Sequence, residues 1–437
     1  MRVSGTRRAA LLGAVLAALG AQVPPAAQAT AHGHHGHPVR CAGAPHGHAT
    51  RACAARRIAA SGAQRLHRAH LPSAGPTTAA PQPAPTAQGT TTPATTGAPP
   101  TTATQPVNPA PPQAAMPPAS TLPVYWGAWI GSSLTGTEAP WDAGAITAFG
   151  RDAGKAPSLV NFSSPFANCY ASPCTTYAFP AAEFDTIRGQ GAIPFFSWAT
   201  DALPLSGDQS AYRLSTIAAG GQDAYITAWA TAARDWGHPF FLRFNWEMNG
   251  NWFPWSPGKN GNSAADFVAA WRHVHDIFTR VGATNVTWVW CPNIDPDSVL
   301  TPLSSVYPGD AYVDWTALDG YNWNTPWTSF AALFGATYDR ITNAIAPSKP
   351  MLVGETASTE TGGSKAQWIT DMFQSLATRF PRIRGLLWFD KLDDGMDWPI
   401  ETSASATAAF RAGVADPRYV ANTAAALPPG PIAPPGG

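Results

Sequence analysis

The chain has 437 residues and no formal net charge at pH 7, because 27 basic residues balance 27 acidic ones. This balance hides two unlike parts: the first 137 residues hold nine basic residues and no acidic one, whereas the remainder holds 18 basic and 27 acidic residues. Residues 1–124 contain no Phe, Tyr or Trp and therefore have little means of building a core. The composition argues against a globular domain in this part and predicts one folded domain of roughly 300 residues after it.

The N-terminus has the pattern of an export signal. Three arginines within the first eight residues precede the apolar run 9–21, and Ala-Gln-Ala at 27–29 fits the small-x-small rule for cleavage. The run is too short to span a membrane, and the Arg7-Arg8 pair leaves the twin-arginine route open as an alternative. We interpret residues 1–29 as a signal peptide and expect a secreted, extracellular protein without membrane insertion.

Two segments of low complexity follow, and a third ends the chain. Residues 30–70 hold eight of the eleven histidines and six arginines. We interpret them as a disordered basic segment, with metal binding and weak association with an anionic cell surface as alternatives. Residues 71–122 are almost entirely Pro, Thr, Ala and Gln, as is typical of an extended linker. Residues 419–437, rich in Pro and Gly, are predicted to form a disordered tail.

Five cysteines fit an exported protein. Cys169 and Cys174 flank a short loop that a disulfide can close, and Cys41 with Cys53 is a second candidate pair. Cys291 is then left over. We interpret it as a small buried hydrophobic residue at a strand end, with a Cys–His nucleophile as the alternative.

Apolar runs predict eight parallel strands. They are continuous rather than alternating, as expected for strands covered on both sides. Helical periodicity lies between several of them, and strand–helix alternation predicts a single (β/α)8 TIM barrel at 123–418. A doubly wound open sheet is the alternative, but no Gly-rich phosphate loop supports it. The predicted strands are Val124–Ile130, Ser158–Ser163, Ala192–Trp198, Phe240–Trp246, Val286–Cys291, Trp315–Tyr321, Met351–Gly354 and Leu386–Phe389. The predicted helices are Asp223–Trp236, Ala264–Phe278, Ser329–Ala346 and Ser364–Phe380.

Two of the six glutamates end predicted strands. Glu247 follows the fourth strand, where alternation places Arg243, Asn245 and Glu247 on one face, and Glu355 ends the seventh. In a barrel both side chains stand at the mouth, where active sites form. Two carboxyl groups about 5–5.5 Å apart across that mouth suit the retaining hydrolysis of a glycosidic bond.

Five motifs in order resemble glycoside hydrolase family 26 over about residues 123–418. They are Trp-Glu-Met-Asn-Gly-Asn-Trp-Phe-Pro-Trp at 246–255, Ala-Trp-Arg-His-Val at 270–274, Val-Thr-Trp-Val-Trp-Cys-Pro-Asn at 286–293, Asp-Gly-Tyr-Asn-Trp at 319–323 and Gly-Glu-Thr at 354–356. The resemblance implies a (β/α)8 barrel and a retaining mechanism. It implies endo-β-1,4-mannanase activity first, with β-1,3-1,4-glucanase and β-1,3-xylanase activities as minorities of the family.

The resemblance also assigns roles. Glu247 matches the general acid/base and Glu355 the nucleophile, and Tyr321 matches a tyrosine that hydrogen-bonds the nucleophile; we add Arg243 as a second residue that orients it. Mannanases of the family usually carry His immediately before the acid/base, where this chain has Trp246, and this departure concerns which sugar is bound. The predicted substrate-binding residues are Trp246, Asn249, Trp252, Trp255, Asn293, Trp323 and Trp388.

Several of these candidate residues also have an alternative interpretation in which they serve the structure alone. Glu247 is alternatively an ion-pair partner of Arg243, Asn245 and Asn249 alternatively bond loop backbone, and core packing is the default for Trp252, Trp255 and Trp323. Four aspartates follow the eighth strand, and we interpret them as a solvated loop, with cleft lining or calcium binding as alternatives. They are Asp390, Asp393, Asp394 and Asp397.

The sequence thus predicts a secreted retaining endo-β-glycanase that hydrolyses mannan, mixed-linkage β-glucan or xylan. The alternative is a non-catalytic polysaccharide-binding protein on an inactive barrel. No cofactor, catalytic metal or nucleic acid is expected, and the protein is expected to be a monomer whose partner is its polysaccharide substrate.

Overall fold

The computed structural model describes residues 119–294, 301–393, 395–421 and 424–436. The predicted signal peptide, the basic segment at 30–70, the linker up to residue 118 and the candidate Cys41–Cys53 pair lie outside the described residues. Within the described part of the chain, no helix is both long enough and apolar enough to cross a membrane.

The described residues form eight parallel strands arranged as a closed barrel. The strands are β1 (Tyr125–Ile130), β2 (Leu159–Asn168), β3 (Ile193–Leu203), β4 (Phe240–Phe244), β5 (Val286–Trp290), β6 (Trp315–Asn322), β7 (Met351–Ser358) and β8 (Ile383–Asp390). Neighbours in chain order pair in parallel, and the pairing of β1 with both β8 and β2 closes the ring. The predicted (β/α)8 barrel is confirmed.

Helices connect the strands. In the described residues they are α1 (Ala143–Ala153), α2 (Ala181–Gly189), α3 (Leu214–Ala218), α4 (Asp223–Trp236), α5 (Ala264–Val281), α6 (Phe330–Arg340), α7 (Lys365–Thr378) and α8 (Ala404–Val414). A π-helical turn, Ile341–Ile345, extends α6. Short 3-10 turns are Ser210–Tyr212, Leu303–Val306, Asp310–Tyr312, Ile400–Thr402 and Ala424–Ala426.

Local sequence sets the ends of these helices. Ser263 begins α5 with a capping box: its hydroxyl accepts a hydrogen bond from Asp266 N at 3.1 Å, and the Asp266 carboxylate accepts one from Ser263 N at 2.8 Å. Gly282 ends α5 in the left-handed region at φ 76°, which glycine adopts without strain. The observed α4 has its predicted bounds, whereas α5 continues past its predicted end at Phe278.

Several strands differ in length from their predictions. β2 and β3 continue to Asn168 and Leu203, and these two residues are register partners. Their pairing explains why the strands extend beyond the apolar runs. The predicted Cys169–Cys174 disulfide is present in the loop after β2. The two-residue strand 175–176 then folds back antiparallel on β2.

Aromatic side chains fill the amino-terminal end of the barrel. Tyr125, Phe241 and Trp315 come from β1, β4 and β6, which are not neighbours, yet their ring centroids lie 5.5–6.4 Å apart. Only side chains that point into the barrel make such contacts. Trp229 and Trp271 are buried and pack from α4 and α5 against rings of β3 and β4.

The predicted disorder of the tail is wrong for its described part. Ile432 is buried, and its backbone N–H and carbonyl bond to side chains of β5 and β6, each at 2.7 Å. Arg384 at the start of β8 donates to the carbonyls of Pro123 and Pro435. The tail therefore crosses the amino-terminal end of the barrel. Proline lacks a backbone donor but keeps its acceptor, so a Pro-rich segment can still be fixed by donors on the barrel.

Candidate active site

The chain after β4 leaves the extended conformation before it reaches Glu247. Asn245 and Glu247 have positive φ angles of 46° and 51°, a conformation that costs a non-glycine residue about 1–3 kcal/mol. Glu247 N donates to Cys291 O at 2.7 Å. Asn245 is held by Thr200, whose backbone N donates to Oδ1 at 2.9 Å and whose hydroxyl accepts from Nδ2 at 2.9 Å. The predicted alternation of side chains between the two faces of the strand is therefore wrong beyond Phe244. The side chain of Asn245 instead forms hydrogen bonds with Thr200 of the neighbouring strand β3.

Both carboxylate oxygens of Glu247 accept hydrogen bonds. Trp252 Nε1 donates to Oε2 at 2.7 Å, and Asn293 Nδ2 donates to Oε1 at 2.6 Å. Asn249 in turn fixes Asn293, accepting from its backbone N at 2.9 Å and donating to its carbonyl at 3.0 Å. Asn249 is buried and uses both ends of its amide on Asn293, so it positions that residue instead of lining the cleft as predicted.

Glu355 lies within β7 and is held by a cation and a phenol. Arg243 Nη2 donates to Oε1, and Tyr321 Oη donates to Oε2. The expected hydrogen bond from Tyr321 is thus present. The guanidinium of Arg243 thus forms an ion pair with Glu355, and the alternative in which Glu247 is also its ion-pair partner stays a prediction.

A third buried carboxylate, Asp319 of β6, completes this cluster and was not predicted. Arg243 Nη1 donates to Oδ2 at 2.8 Å, and Cys291 Sγ donates to Oδ1 at 3.1 Å. Arg243 therefore bridges Asp319 and Glu355. The sequence contained a signal for this residue: Asp319 is a charge inside an otherwise apolar strand, two residues before Tyr321 and hence on the same face.

Cys291 is buried, as predicted, but it is more than a small hydrophobic residue. Its thiol donates to Asp319, and its carbonyl accepts from the amide of Glu247. Burial raises the pKa of the thiol well above its usual range, so Cys291 stays protonated as a donor. The Cys–His nucleophile is not supported, because a nucleophile needs the opposite shift.

Burial and like charges dominate the electrostatics of the cluster. Asp319 and Glu355 pair with one guanidinium, and Glu247 acts electrostatically on Asp319. Each of the three carboxylates is at most 1% exposed. Burial raises the pKa of Asp319 well above its usual range; Arg243 acts against this shift, whereas Glu355 and Glu247 add to it. The pKa of Arg243 rises despite its burial, because Asp319 and Glu355 stabilise its charge. The guanidinium therefore remains ionised.

Tyr321 stays protonated in this environment. Burial raises its pKa, and the nearby carboxylate of Glu355 raises it further. Its hydroxyl can then only donate to that carboxylate. Glu247 also contributes to the shifts of Tyr321 and Asp319, so both glutamates act on the same buried groups and belong to one site.

Two of the tryptophans predicted to bind substrate keep partly exposed rings near this site. Trp252 donates to Glu247, and Trp323 lies with its ring centroid 6.1 Å from that of Tyr321. Trp255 is fully buried and donates to the Trp246 carbonyl at 2.7 Å. It supports the loop after β4 from within the core, which agrees with core packing as the default interpretation of this residue; its contact with substrate stays a prediction.

Trp246 is 3% exposed and packs against the charge cluster. The guanidinium carbon of Arg243 lies 5.0 Å from the centroid of its ring, a distance that suits a cation–π contact. Its Nε1 has no hydrogen-bond partner among the described residues. Trp246 therefore shields Arg243, and its predicted contact with substrate stays a prediction.

Trp388 faces the helices rather than the cleft, so its prediction as a substrate-binding residue is wrong. Its ring contacts Trp368 of α7 and Phe410 of α8 at 6.1 and 5.6 Å between centroids. The next residue of β8, Phe389, points the other way and contacts Tyr321 at 5.6 Å. The prediction for Trp388 came from the family resemblance, and the strand itself offers no check on it, because both faces of β8 are apolar.

Trp398, which the sequence did not single out, reaches the site from the loop after β8. Its ring centroid lies 5.3 Å from that of Tyr321 and 4.9 Å from that of Trp323. No periodic pattern surrounds this residue, because it lies outside any strand or helix.

The four aspartates from the end of β8 onward were predicted to form a solvated loop, and this prediction is wrong for Asp390 and Asp393. Asp390 and Asp393 are 1% and 6% exposed, and Asp397 accepts a hydrogen bond from Thr359 Oγ1 at 2.6 Å. Asp394 lies outside the described residues. Across the described ranges, no group of three or more His, Cys, Asp or Glu residues is arranged to hold a metal ion.

The two glutamates are therefore held in different ways. Glu355 lies between a guanidinium and a phenol, donors that favour its ionised form. Glu247 accepts hydrogen bonds from two neutral donors, an indole and an amide. An ionised carboxylate and a second carboxyl group in one buried site can supply a nucleophile and a proton donor to the same bond.

Comparisons with known proteins converge on one family. A family model described as "Glycosyl hydrolase family 26" matches residues 211–397, a span that contains both glutamates. Endoglucanase H of Acetivibrio thermocellus is 33% identical over 300 residues, which are 66% of this chain and 30% of that protein. "Mannan endo-1,4-beta-mannosidase A and B" of Caldalkalibacillus mannanilyticus is 30% identical over 153 residues, which are 33% of this chain and 27% of that protein.

The likeness extends to solved structures. An endo-beta-1,4-mannanase double mutant of Cellulomonas fimi superimposes with a TM-score of 0.52 at 21% identity, covering 70% of this chain and 73% of that chain. This likeness concerns the fold alone. The matched part of the chain spans less than a third of the length of Endoglucanase H and of the Caldalkalibacillus mannanilyticus protein.

Proposed function

Because this chain belongs to glycosyl hydrolase family 26, we propose that it hydrolyses internal β-glycosidic bonds of a polysaccharide with retention of configuration. The observation that carries this proposal is the pair of buried glutamates, one after β4 and one in β7, each held by two side-chain donors. A retaining mechanism requires two carboxyl groups that act in turn on the two sides of the bond.

In the first step, Glu355 attacks the anomeric carbon while Glu247 gives its proton to the departing glycosidic oxygen. The carbon–oxygen bond of the substrate breaks, and a glycosyl ester to Glu355 forms. In the second step, Glu247 removes a proton from water, and the oxygen of that water displaces Glu355. Arg243 and Tyr321 orient Glu355 and stabilise the charge that it carries before attack and after release.

We propose a β-glucan as the first substrate to test. The likeness to Endoglucanase H extends over 300 residues, whereas that to the mannosidase extends over 153. Trp246, in place of the histidine usual in mannanases of the family, also favours a sugar other than mannose. The test is to incubate the purified protein with mixed-linkage β-glucan, mannan and β-1,3-xylan and to separate the released oligosaccharides. Faster release from mannan contradicts the glucan proposal, and no release from any of them favours a non-catalytic binding protein.

The role of Glu355 is tested by removing its carboxylate. Glu355→Ala should abolish turnover, and azide should restore part of it by attacking from the vacated side. The product should then be a glycosyl azide of inverted anomeric configuration, identified by NMR.

The role of Glu247 is tested in parallel. Glu247→Ala should still react with activated aryl glycosides, because a good leaving group needs no proton. Azide should then give a product of retained configuration. Opposite stereochemical outcomes in the two variants would reverse the roles, and a loss smaller than about 100-fold in both would remove the glutamates from the mechanism.

We further propose that the protein is exported and acts outside the cell as a monomer. The signal-like pattern at 1–29 and the Cys169–Cys174 disulfide support export. Deleting residues 30–122 should leave hydrolysis unchanged, and any weak association with cells should be lost with them. Expression in a secreting host followed by N-terminal sequencing of the medium fraction tests the cleavage after residue 29.

A further inference from the structure

Lys365 is a buried cation that the proposed reaction does not use. It is the first residue of α7 and has no exposed surface. Burial removes water from its ammonium group, and the amino-terminal end of a helix disfavours positive charge. Burial lowers the pKa of Lys365 to about 8, although Asp397 and other nearby carboxylates act against this shift. A charge kept in such a place needs specific compensation.

That compensation comes from the backbone on both sides of Trp398. Lys365 Nζ donates to the carbonyls of Asp397 and Pro399, the latter at 2.6 Å, and to Thr402 Oγ1 at 3.0 Å. An ammonium group has three donors, so all of them are used. The first two acceptors flank a single residue, and the lysine thereby holds the backbone of Trp398 from either side.

Two more buried side chains fix the same stretch of backbone. Trp388 Nε1 donates to the carbonyl of Trp398 at 3.0 Å, and Asp390 Oδ1 accepts from the amide of Ile400 at 2.8 Å. Three consecutive carbonyls, those of residues 397–399, are therefore bonded by side chains from α7 and β8. Because residues 397–399 belong to no helix or strand, their conformation depends on these side chains.

Trp398 connects this arrangement to the site. Its ring is 2% exposed and packs on Tyr321 and Trp323, and the hydroxyl of Tyr321 donates to Glu355. We propose that Lys365 is a positioning residue: it fixes Trp398, which fixes the phenol that orients Glu355 and the partly exposed ring of Trp323. The effect on turnover rests on the proposed function, whereas the effect on the position of Trp398 does not.

The first experiment measures turnover. Lys365→Met keeps a long side chain but removes all three donors, and a misplaced orienting group can lower kcat by up to ~100-fold. The matched control is Lys155→Met, because Lys155 Nζ also donates to a backbone carbonyl, that of Val414, at 3.0 Å. We expect kcat to fall at least ten-fold in the first variant and to stay within two-fold in the second. Equal effects on kcat in the two variants would refute the positioning role.

The second experiment follows Trp398 directly. In protein labelled with 5-fluorotryptophan, the ¹⁹F signal of Trp398 is assigned by its loss in Trp398→Phe. We expect this signal to shift or broaden in Lys365→Met and to stay unchanged in Lys155→Met, while that of the distant core residue Trp271 is unchanged in both. Lys365→Gln, which retains two donors, should restore part of the wild-type signal.

The two experiments separate the two proposals. An unmoved Trp398 signal in folded Lys365→Met overturns the positioning role, whether or not the protein is an enzyme. A moved signal in a protein whose wild type hydrolyses none of the polysaccharides upholds the positioning role and overturns the proposed function. If Lys365→Met does not fold, Lys365→Gln and Thr402→Val are measured in the same way, and an unmoved signal in both refutes the proposal.

Discussion

The two ends of the barrel differ in the side chains that fill them. At the amino-terminal end, the rings of Tyr125, Phe241 and Trp315 meet inside the barrel, and the tail lies across them with Ile432 buried. At the carboxyl-terminal end, two buried carboxylates pair with one buried guanidinium, and two non-glycine residues have positive φ angles. Apolar burial stabilises the fold by about 25 cal/mol per Å², whereas buried charge and left-handed backbone each cost free energy.

This difference indicates a division of tasks within one domain. Apolar packing at the amino-terminal end offsets the free-energy cost of the buried charges and the left-handed backbone at the carboxyl-terminal end. Substitutions at the carboxyl-terminal end, the mouth of the barrel, should therefore affect activity and stability together. Substitutions at the amino-terminal end, the base of the barrel, should affect stability alone. Four predictions test this difference, from the largest expected effect to the smallest.

Removing Arg243 should produce the largest loss. Arg243→Met leaves Asp319 and Glu355 buried without a counter-charge, which should cost about 3–5 kcal/mol of unfolding free energy and abolish hydrolysis. Urea unfolding and a hydrolysis assay measure the two effects. Adding Asp319→Asn should recover part of the stability, because one uncompensated charge disappears. Unchanged stability in Arg243→Met would show that the ion pairs of Arg243 with Asp319 and Glu355 do not offset the free-energy cost of burying these two carboxylates.

Removing the buried carboxylate of Asp201, near the carboxyl-terminal end of the barrel, should instead raise the unfolding free energy. Asp201 of β3 is buried, its Oδ1 has no hydrogen-bond partner among the described residues, and burial raises its pKa to about 7. Between the unfolded value of about 4 and this pKa, the folded protein binds the extra proton, so stability falls as the pH rises from about 4 to about 7. Asp201→Asn should therefore raise the unfolding free energy at pH 8 by up to ~4 kcal/mol and change it little at pH 4.

A nearby aspartate provides the control for this pH dependence. Asp208 is exposed, and hydrogen bonds from the backbone and hydroxyl of Ser210 lower its pKa. A lowered folded-state pKa stabilises the protein above the unfolded value, and this contribution is lost as the pH falls through the folded one. Asp208→Asn should thus lower stability at pH 8, opposite in sign to Asp201→Asn. The same sign in both variants would contradict the assignment of Asp201 as a buried acid.

Removing the tail tests the base of the barrel. Deleting residues 428–437 exposes the site of Ile432 and the indole N–H of Trp315, and it should lower the unfolding free energy by about 2–3 kcal/mol. At temperatures well below unfolding, kcat should not change. Thermal unfolding followed by tryptophan fluorescence measures the loss, and Ile432→Ala should reproduce most of it. A reduced kcat at unchanged stability would contradict the separation of the two ends.

A single methyl group should have the smallest effect on stability. A Cβ on Gly354 would lie 2.5 Å from Asp319 Oδ1 and 2.9 Å from Cys291 Sγ, and crowding of this kind costs about 1–3 kcal/mol. Gly354→Ala should also lower kcat, since it displaces the partner of Arg243. Gly335→Ala in α6 is the matched control, because nothing lies within 4 Å of its Cβ and alanine favours the helix by about 1 kcal/mol. Equal activity in both variants would argue against crowding at Gly354.

The strands and most helices could be predicted because their signal is periodic and local. Asp223–Trp236 was bounded correctly, since its apolar residues recur at helical spacing and Gly237 follows in the left-handed region. The continuous apolar run before Glu355 correctly indicated the seventh strand, although this strand continues past Glu355 to Ser358. These features depend on residues that are close together along the chain, so the sequence displays them directly.

The remaining features depend on contacts that the sequence does not display. The left-handed backbone at Asn245 and Glu247 is fixed by Thr200, a residue of β3, and by Cys291, which follows β5. On β8 both faces are apolar, so Trp388 could not be distinguished from an inward-facing residue without the barrel itself. The tail was misjudged for a related reason: its composition favours disorder, but donors on the barrel fix its carbonyls.

The path of the tail has a consequence for rearranging the chain. Arg384 holds the carbonyls of Pro123 and Pro435 together, and a Cβ built on Gly436 would lie 2.8 Å from the Cγ of Pro123. The two ends of the described domain are thus adjacent at the base, on the side opposite the glutamates. A linker of a few residues would join them, and new termini could then be opened in an exposed turn. The barrel is accordingly a natural candidate for circular permutation, which would leave the mouth intact while changing where a fused domain is attached.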